Sequence, residues 1–191
     1  MERLTPEELI LKYYPRKTKR YPYYITHVKA VAKLAKKVLL HNQQLQAEAQ
    51  LVQQMALLHD IGIIFTNAPE IGCKGIHPYI MHGFLGRELL EREGYEFLAP
   101  ICERHVGVGL TLEEIIKKEL PLPHREMLPI TIEEQVVCYA DKFFSKSADD
   151  LTKPKSLEKI RKGFAKHGPD KLARFEEMVL KFGTDYIYKS K

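Results

Sequence analysis

The chain has 191 residues, 45% hydrophobic and 29% charged, with a formal net charge of +5. That suits one globular domain with an appended segment, large enough to bury a core without disulfides, and it excludes a disordered or fibrous chain. The three cysteines, Cys73, Cys102 and Cys138, are widely spaced and include no CxxC, which argues against a thiolate zinc site or a disulfide framework. No apolar run approaches the ~20 residues of a membrane span, and the polar start MERLTPEELI does not resemble a signal peptide. A cytoplasmic protein is the expectation.

Helical signals dominate the chain. Thr5-Pro6-Glu7-Glu8 predicts a helix start: a capping residue, Pro in the first turn, then acids at the positive end of the dipole. The basic run Arg16–Arg20 follows as a loop. Residues 24–41 read as a long helix, with Ile25, Val28, Val31, Ala32, Ala35, Val38 and Leu39 on one face and Lys29, Lys33, Lys36 and Lys37 on the other. A second helix is expected over about 46–61. Turn residues fill 62–77. Further helices are expected over about 78–93, ended by Gly94, and 96–105, ended by the Gly107-Val-Gly109 break. Thr111-Leu-Glu-Glu114 and Thr131-Ile-Glu-Glu134 are capping boxes, the second opening a helix to about 148. A charged amphipathic pattern over 155–180 breaks at Gly168-Pro169. No alternating strand pattern is evident.

The chemistry collects in Met55-Ala-Leu-Leu-His-Asp-Ile-Gly-Ile-Ile-Phe65, where a His and an Asp interrupt an otherwise apolar stretch. An unpaired buried carboxylate is costly, so something must compensate it. A hydrogen-bonded Asp–His pair and a bound cation are both open for this dipeptide alone. Other polar residues intrude on apolar surroundings: His27 beside Val28 and Val31, Asp141 at the end of Val136-Val-Cys-Tyr-Ala-Asp141, His82 near a helix start and His105 at a helix end. Together they offer four imidazoles and two carboxylates, a set suited to divalent transition metals held without thiolates. Basic excess lies in Arg16–Arg20 and between Lys142 and Lys171, either as solvated surface or as attraction for an anionic substrate. No nucleic-acid motif accompanies it, so polymeric nucleic acid is not expected as a partner.

The ordered set His27, His59-Asp60 and Asp141 resembles the H…HD…D signature of the HD-domain superfamily of metal-dependent phosphohydrolases. Leu57-Leu-His-Asp-Ile-Gly62 looks like the family's HDIG core, and Tyr139-Ala-Asp-Lys142 like its final Asp motif. His82-Gly-Phe-Leu-Gly86 and Glu103-Arg-His-Val-Gly107 look like the two further histidines of the dinuclear branch. The resemblance implies an all-α HD-domain helical bundle. It would comprise an N-terminal helix and basic loop over 1–23, the HD domain over 24–148 and a C-terminal helical extension over 149–191.

The resemblance also implies roles. His27, His59, Asp60 and Asp141 would hold one metal; His82 and His105 would hold a second, with Asp60 bridging. The cofactor would be one or two divalent ions among Mn, Fe, Co, Ni, Zn and Mg. Asp60 and Lys142 are the expected catalytic residues, Lys142 by binding phosphate; Arg104 and Lys146 are weaker candidates of that kind. The implied activity is hydrolysis of a phosphate ester or anhydride in a small, nucleotide-like substrate by a metal-activated water. A non-catalytic metal- and nucleotide-binding sensor is the alternative, and diiron oxidative chemistry a third. The chain lacks the His-His pair and the Gly-Tyr-Pro word of the cyclic di-GMP branch, having His105 followed by Val-Gly-Val-Gly, which argues against that activity. The compact layout resembles small stand-alone HD hydrolases, with homo-oligomerisation left open. His77 is expected on a loop surface, His41, His124 and His167 in the open, and Cys102 and Cys138 as small apolar packing residues.

Overall fold

The computed structural model describes residues 4–145 and 151–189. Within them the chain is all-helical apart from one short hairpin. Helix α1 (Pro6–Tyr13) begins at Thr5, whose hydroxyl accepts the Glu8 amide while the Glu8 carboxylate accepts the Thr5 amide, closing the expected box. Helix α2 (Arg20–His41) starts four residues earlier than the sequence suggests. Pro22 falls in its first turn, where an amide has no helical acceptor to lose, so the ring does not delay the start. This helix buries Tyr24, His27, Val28, Val31, Leu34, Ala35 and Val38 and exposes Lys29, Lys33 and Lys36.

Helix α3 (Ala49–Leu58) is shorter than expected, and Ile61–Phe65 continues as a tighter 3-10 segment. Two tyrosines hold this junction. Tyr24 donates to the Leu57 carbonyl at 2.8 Å; Tyr14 donates to the Ile61 carbonyl and accepts the Ile64 amide, both at 3.0 Å. They satisfy backbone groups that a helix end otherwise leaves orphaned. Strands β1 (Asn67–Ala68) and β2 (Cys73–Lys74) pair antiparallel, Ala68 opposite Cys73. Two residues each is too short to leave an alternating pattern in the sequence.

Helix α4 (His82–Arg92) follows a 3-10 turn at Tyr79–Met81, and α5 (Pro100–Arg104) starts at its proline rather than at 96. Gly94 adopts φ 78°, the left-handed stop expected of it. Helices α6 (Leu112–Lys117) and α7 (Ile132–Asp141) open on the two predicted capping boxes. Helix α7 ends at Asp141 rather than 148, with Lys142 as its cap. Helices α8 (Leu157–Ala165) and α9 (Pro169–Phe182) break at Gly168 as expected.

Helices α2, α3 and α7 pack on one another and form the centre of the molecule, while α4 packs on α5 and presses on the 61–65 segment. That second contact is backbone to backbone. A Cβ on Gly62 would run into the His82 carbonyl and the Gly86 backbone, and one on Gly83 into the Cys102 carbonyl. Glycine at these positions is what lets α4 and α5 approach the His59-Asp60 corner. The C-terminal helices share the same core: Phe175 and Phe182 are buried against Tyr139 of α7. Glu114, the α6 capping acid, pairs with Lys171 at 3.1 Å and Arg174 at 2.7 Å, tying α9 to the body.

Candidate metal centre

Five segments deliver six buried polar side chains to one place. His27 comes from α2, His59 and Asp60 from the end of α3, His82 from the start of α4, His105 from the end of α5 and Asp141 from the end of α7. His59 and Asp60 are 0% exposed and Asp141, the most open, 6%.

The carboxylate of Asp60 faces two ways. Its Oδ2 lies 3.1 Å from His27 Nε2 and 3.3 Å from His59 Nε2. Its Oδ1 lies 3.2 Å from His105 Nε2 and 3.4 Å from His82 Nε2. Asp141 Oδ1 completes the first group, 3.1 Å from His27 Nε2 and 3.5 Å from His59 Nε2. The donors thus form two groups, His27–His59–Asp60–Asp141 and Asp60–His82–His105, each with its ligand atoms within 4.8 Å of one another.

Three of the imidazoles are set by their own helix ends. Each caps the C-terminus of a helical segment: His59 that of α3, His82 that of the 3-10 turn before α4, His105 that of α5. The last carbonyls of a helix lack amide partners. His59 Nδ1 meets the Ala56 carbonyl at 2.8 Å, His82 Nδ1 that of Tyr79 at 2.7 Å and His105 Nδ1 that of Ile101 at 3.1 Å. A carbonyl only accepts, so each Nδ1 carries the hydrogen and each Nε2 of a neutral ring turns a lone pair to the centre. His27 is the exception, for its Nδ1 makes no hydrogen bond.

The electrostatics call for a cation. His27 Nε2 and His59 Nε2 are buried without a hydrogen bond, and both face carboxylate oxygens in a dry interior. Lone pairs and carboxylates so arranged are stabilised by a positive ion among them, and imidazole with carboxylate suits a divalent metal. A proton can stand in for part of that charge. Burial lowers the pKa of His59, but the Asp60 and Asp141 carboxylates outweigh it and raise the value to about 9. His105 falls to about 4, chiefly through burial. Thiolate takes no part: burial raises the Cys138 thiol to about 11 and the Cys102 thiol well above its ordinary value, so both pack as small apolar groups.

The centre opens onto a cavity of about 630 Å³ lined by His82, His105, Asp141 and Lys142, and by Lys155 and Lys159 from the C-terminal part. Lys142 is buried. Its ammonium lies 2.7 Å from Asp141 Oδ2 and donates to the His105 carbonyl at 2.8 Å, so it braces two of the predicted ligands. Arg104, a weaker phosphate-binding candidate, is half-buried and committed to Glu134 at 2.7 Å. His77 stays outside the cluster, its backbone bonded to Phe65 and Asn67, while His41, His124 and His167 are exposed as expected. Lys146 lies outside the described residues. Sequence reasoning missed the carbonyls that orient the histidines, although a His three or four residues after a helical position at a helix end is a usable signal. It also missed that α8 borders the cavity.

Residues 24–145 match the family model described as the HD domain. Over 120 residues the chain is 40% identical to an uncharacterized protein of Methanocaldococcus jannaschii, covering 61% of this chain and 63% of that one. It is 37% identical over 124 residues to a tRNA (cytidine(56)-2'-O)-methyltransferase of Thermoplasma volcanium and 36% identical over 122 residues to that of Picrophilus torridus. These matches cover 64% and 63% of this chain but 32% and 31% of the methyltransferases, so the chain spans less than two thirds of each relative's length. No solved structure matches. No helix among the described residues is long and apolar enough to cross a membrane.

Proposed function

The chain belongs to the HD domain family, and from that premise we propose that it is a cytoplasmic metal-dependent phosphohydrolase acting on a small, nucleotide-like phosphorylated substrate. Residues 24–148 would be its working unit and 149–191 an extension. The observation that carries the reading is the split carboxylate of Asp60, one oxygen toward each histidine group.

In this reading His27, His59, Asp60 and Asp141 would hold one divalent ion and His82, His105 and Asp60 another, drawn from Mn, Fe, Co, Ni, Zn and Mg. When bound, such ions supply hydroxide from water near neutral pH and neutralise charge on phosphoryl oxygens. The protein's part is positioning. The three capped histidines keep their Nε2 atoms aimed inward, which spares reorganisation when the site is loaded. Asp60 sets the spacing of the two groups. Lys142, fixed by Asp141 and the His105 carbonyl, holds an ammonium at the cavity wall, where it would meet a substrate phosphate. The cavity volume lies in the ~300–1,000 Å³ range of small-ligand sites, and its lysines favour an anion.

The test is a panel of nucleotides and simple phosphate monoesters offered to the protein loaded in turn with Mn, Fe, Co or Ni. Phosphate release with a burden on Asp60 and Lys142 supports the assignment. Nucleotide binding without turnover in every metal form would sink the hydrolase and leave a metal- and nucleotide-binding sensor.

A further inference from the structure

Helix α8 turns one face to the cavity. Lys159, Ile160, Gly163 and Phe164, which share a helical stripe, all line it, as does His167 just past the helix end. Glycine within a helix is unfavourable and usually answers a backbone or packing demand, and Gly163 stands in the last turn of α8. Gly163 answers neither. It is not among the positive-φ residues, and a Cβ built on it would meet nothing within 4 Å. Gly62, Gly83 and Gly86 are the contrast, since a Cβ on each would press on backbone or side chain. What a side chain at 163 would occupy is cavity space.

We propose that α8 is the substrate-selecting wall of this cavity, and that Gly163 leaves room for the part of the substrate beyond its reacting phosphate, a flat apolar ring of nucleobase type. This rests on the phosphohydrolase reading of the metal centre. The cavity, about 630 Å³, holds much more than a phosphate group. Its lining combines apolar side chains, Phe144, Ile160 and Phe164, with polar groups from Lys159 and His167. That mixture suits a planar ring bearing polar edges. Gly163 is thereby a specificity-determining residue, and α8 lies beyond the stretch that matches the family.

The experiment uses the full chain, metal-loaded, with metal content measured for every variant. Inorganic phosphate and the four ribonucleoside 5′-monophosphates are titrated by calorimetry into wild type, Gly163→Ala and Gly163→Leu. At least one nucleotide should bind wild type tenfold or more tightly than phosphate. Gly163→Leu should lose tenfold or more of that nucleotide affinity, keep phosphate affinity within twofold and keep its metal. Gly163→Ala should melt at a higher temperature than wild type. The proposal falls if wild type shows no preference for any nucleotide over phosphate. It falls equally if Gly163→Leu binds nucleotide as wild type does or loses phosphate in parallel, or if Gly163→Ala is less stable. Hydrolysis of p-nitrophenyl phosphate is followed separately. Turnover there without nucleotide selectivity removes the wall and keeps the hydrolase; selectivity lost in Gly163→Leu without any turnover removes the hydrolase and keeps the wall.

Discussion

Oδ2 of Asp60 stands 3.1 Å from Nε2 of His27, while the other oxygen of the same carboxylate stands 3.2 Å from Nε2 of His105. One side chain thus belongs to both donor groups. Asp60→Ala should therefore abolish metal binding altogether, whereas His82→Ala should remove one ion and spare the other. Elemental analysis of the purified variants decides this; full stoichiometry in Asp60→Ala would remove Asp60 from the bridge.

Lys142 touches the ligand set from behind and faces the cavity. Lys142→Met is expected to retain its metal and to lose turnover by about 10²-fold, the scale of one lost charge-stabilising donor. Turnover equal to wild type at unchanged metal content would make the lysine a brace only.

The crowding at Gly62 predicts a structural cost. Gly62→Ala must displace α4, because the new methyl group meets the His82 carbonyl and the Gly86 backbone. Overpacking of this kind costs about 1–3 kcal/mol, or more when backbone must move. Urea unfolding should show that loss, and metal content should fall with it through the displacement of His82. A wild-type midpoint would mean that α4 yields freely.

Glu114 gives the fold an acid-sensitive tie. Burial raises its pKa, but the Thr111 amide, Lys171 and Arg174 outweigh this and leave it below the ordinary value of 4.5. A carboxyl with a depressed folded-state pKa contributes fully above its unfolded value and loses that contribution as pH falls through the folded one. Wild type should therefore weaken below about pH 4.5, the usual carboxyl range. Glu114→Gln should be less stable at pH 7 and show a flatter decline in urea unfolding between pH 5 and 3. Parallel curves would exclude Glu114 as a source of the slope.

Much of this was legible in the sequence, for identifiable reasons. Capping boxes at Thr5, Thr111 and Thr131 are local chemistry, so three helix starts were readable to the residue. The six candidate ligand residues were readable because each interrupts apolar surroundings, and burial of such groups demands a partner. Lys142 was readable as a phosphate-binding candidate, but its burial was not, because its bond to the His105 carbonyl joins residues distant along the chain. The start of α2 was missed because Arg16–Arg20 reads as a loop, yet proline in a first turn is tolerated. The place of α8 against the cavity depends on contacts distant along the chain, which no periodicity records.

The histidine caps also make three of the imidazole settings local. His59, His82 and His105 each fix their tautomer through a carbonyl three or four residues back in the same segment. In the folded protein the proton position on these rings therefore depends on a single turn of chain rather than on a neighbouring helix. His27 has no such local partner, so its ring orientation is the one imidazole setting the assembled core must supply.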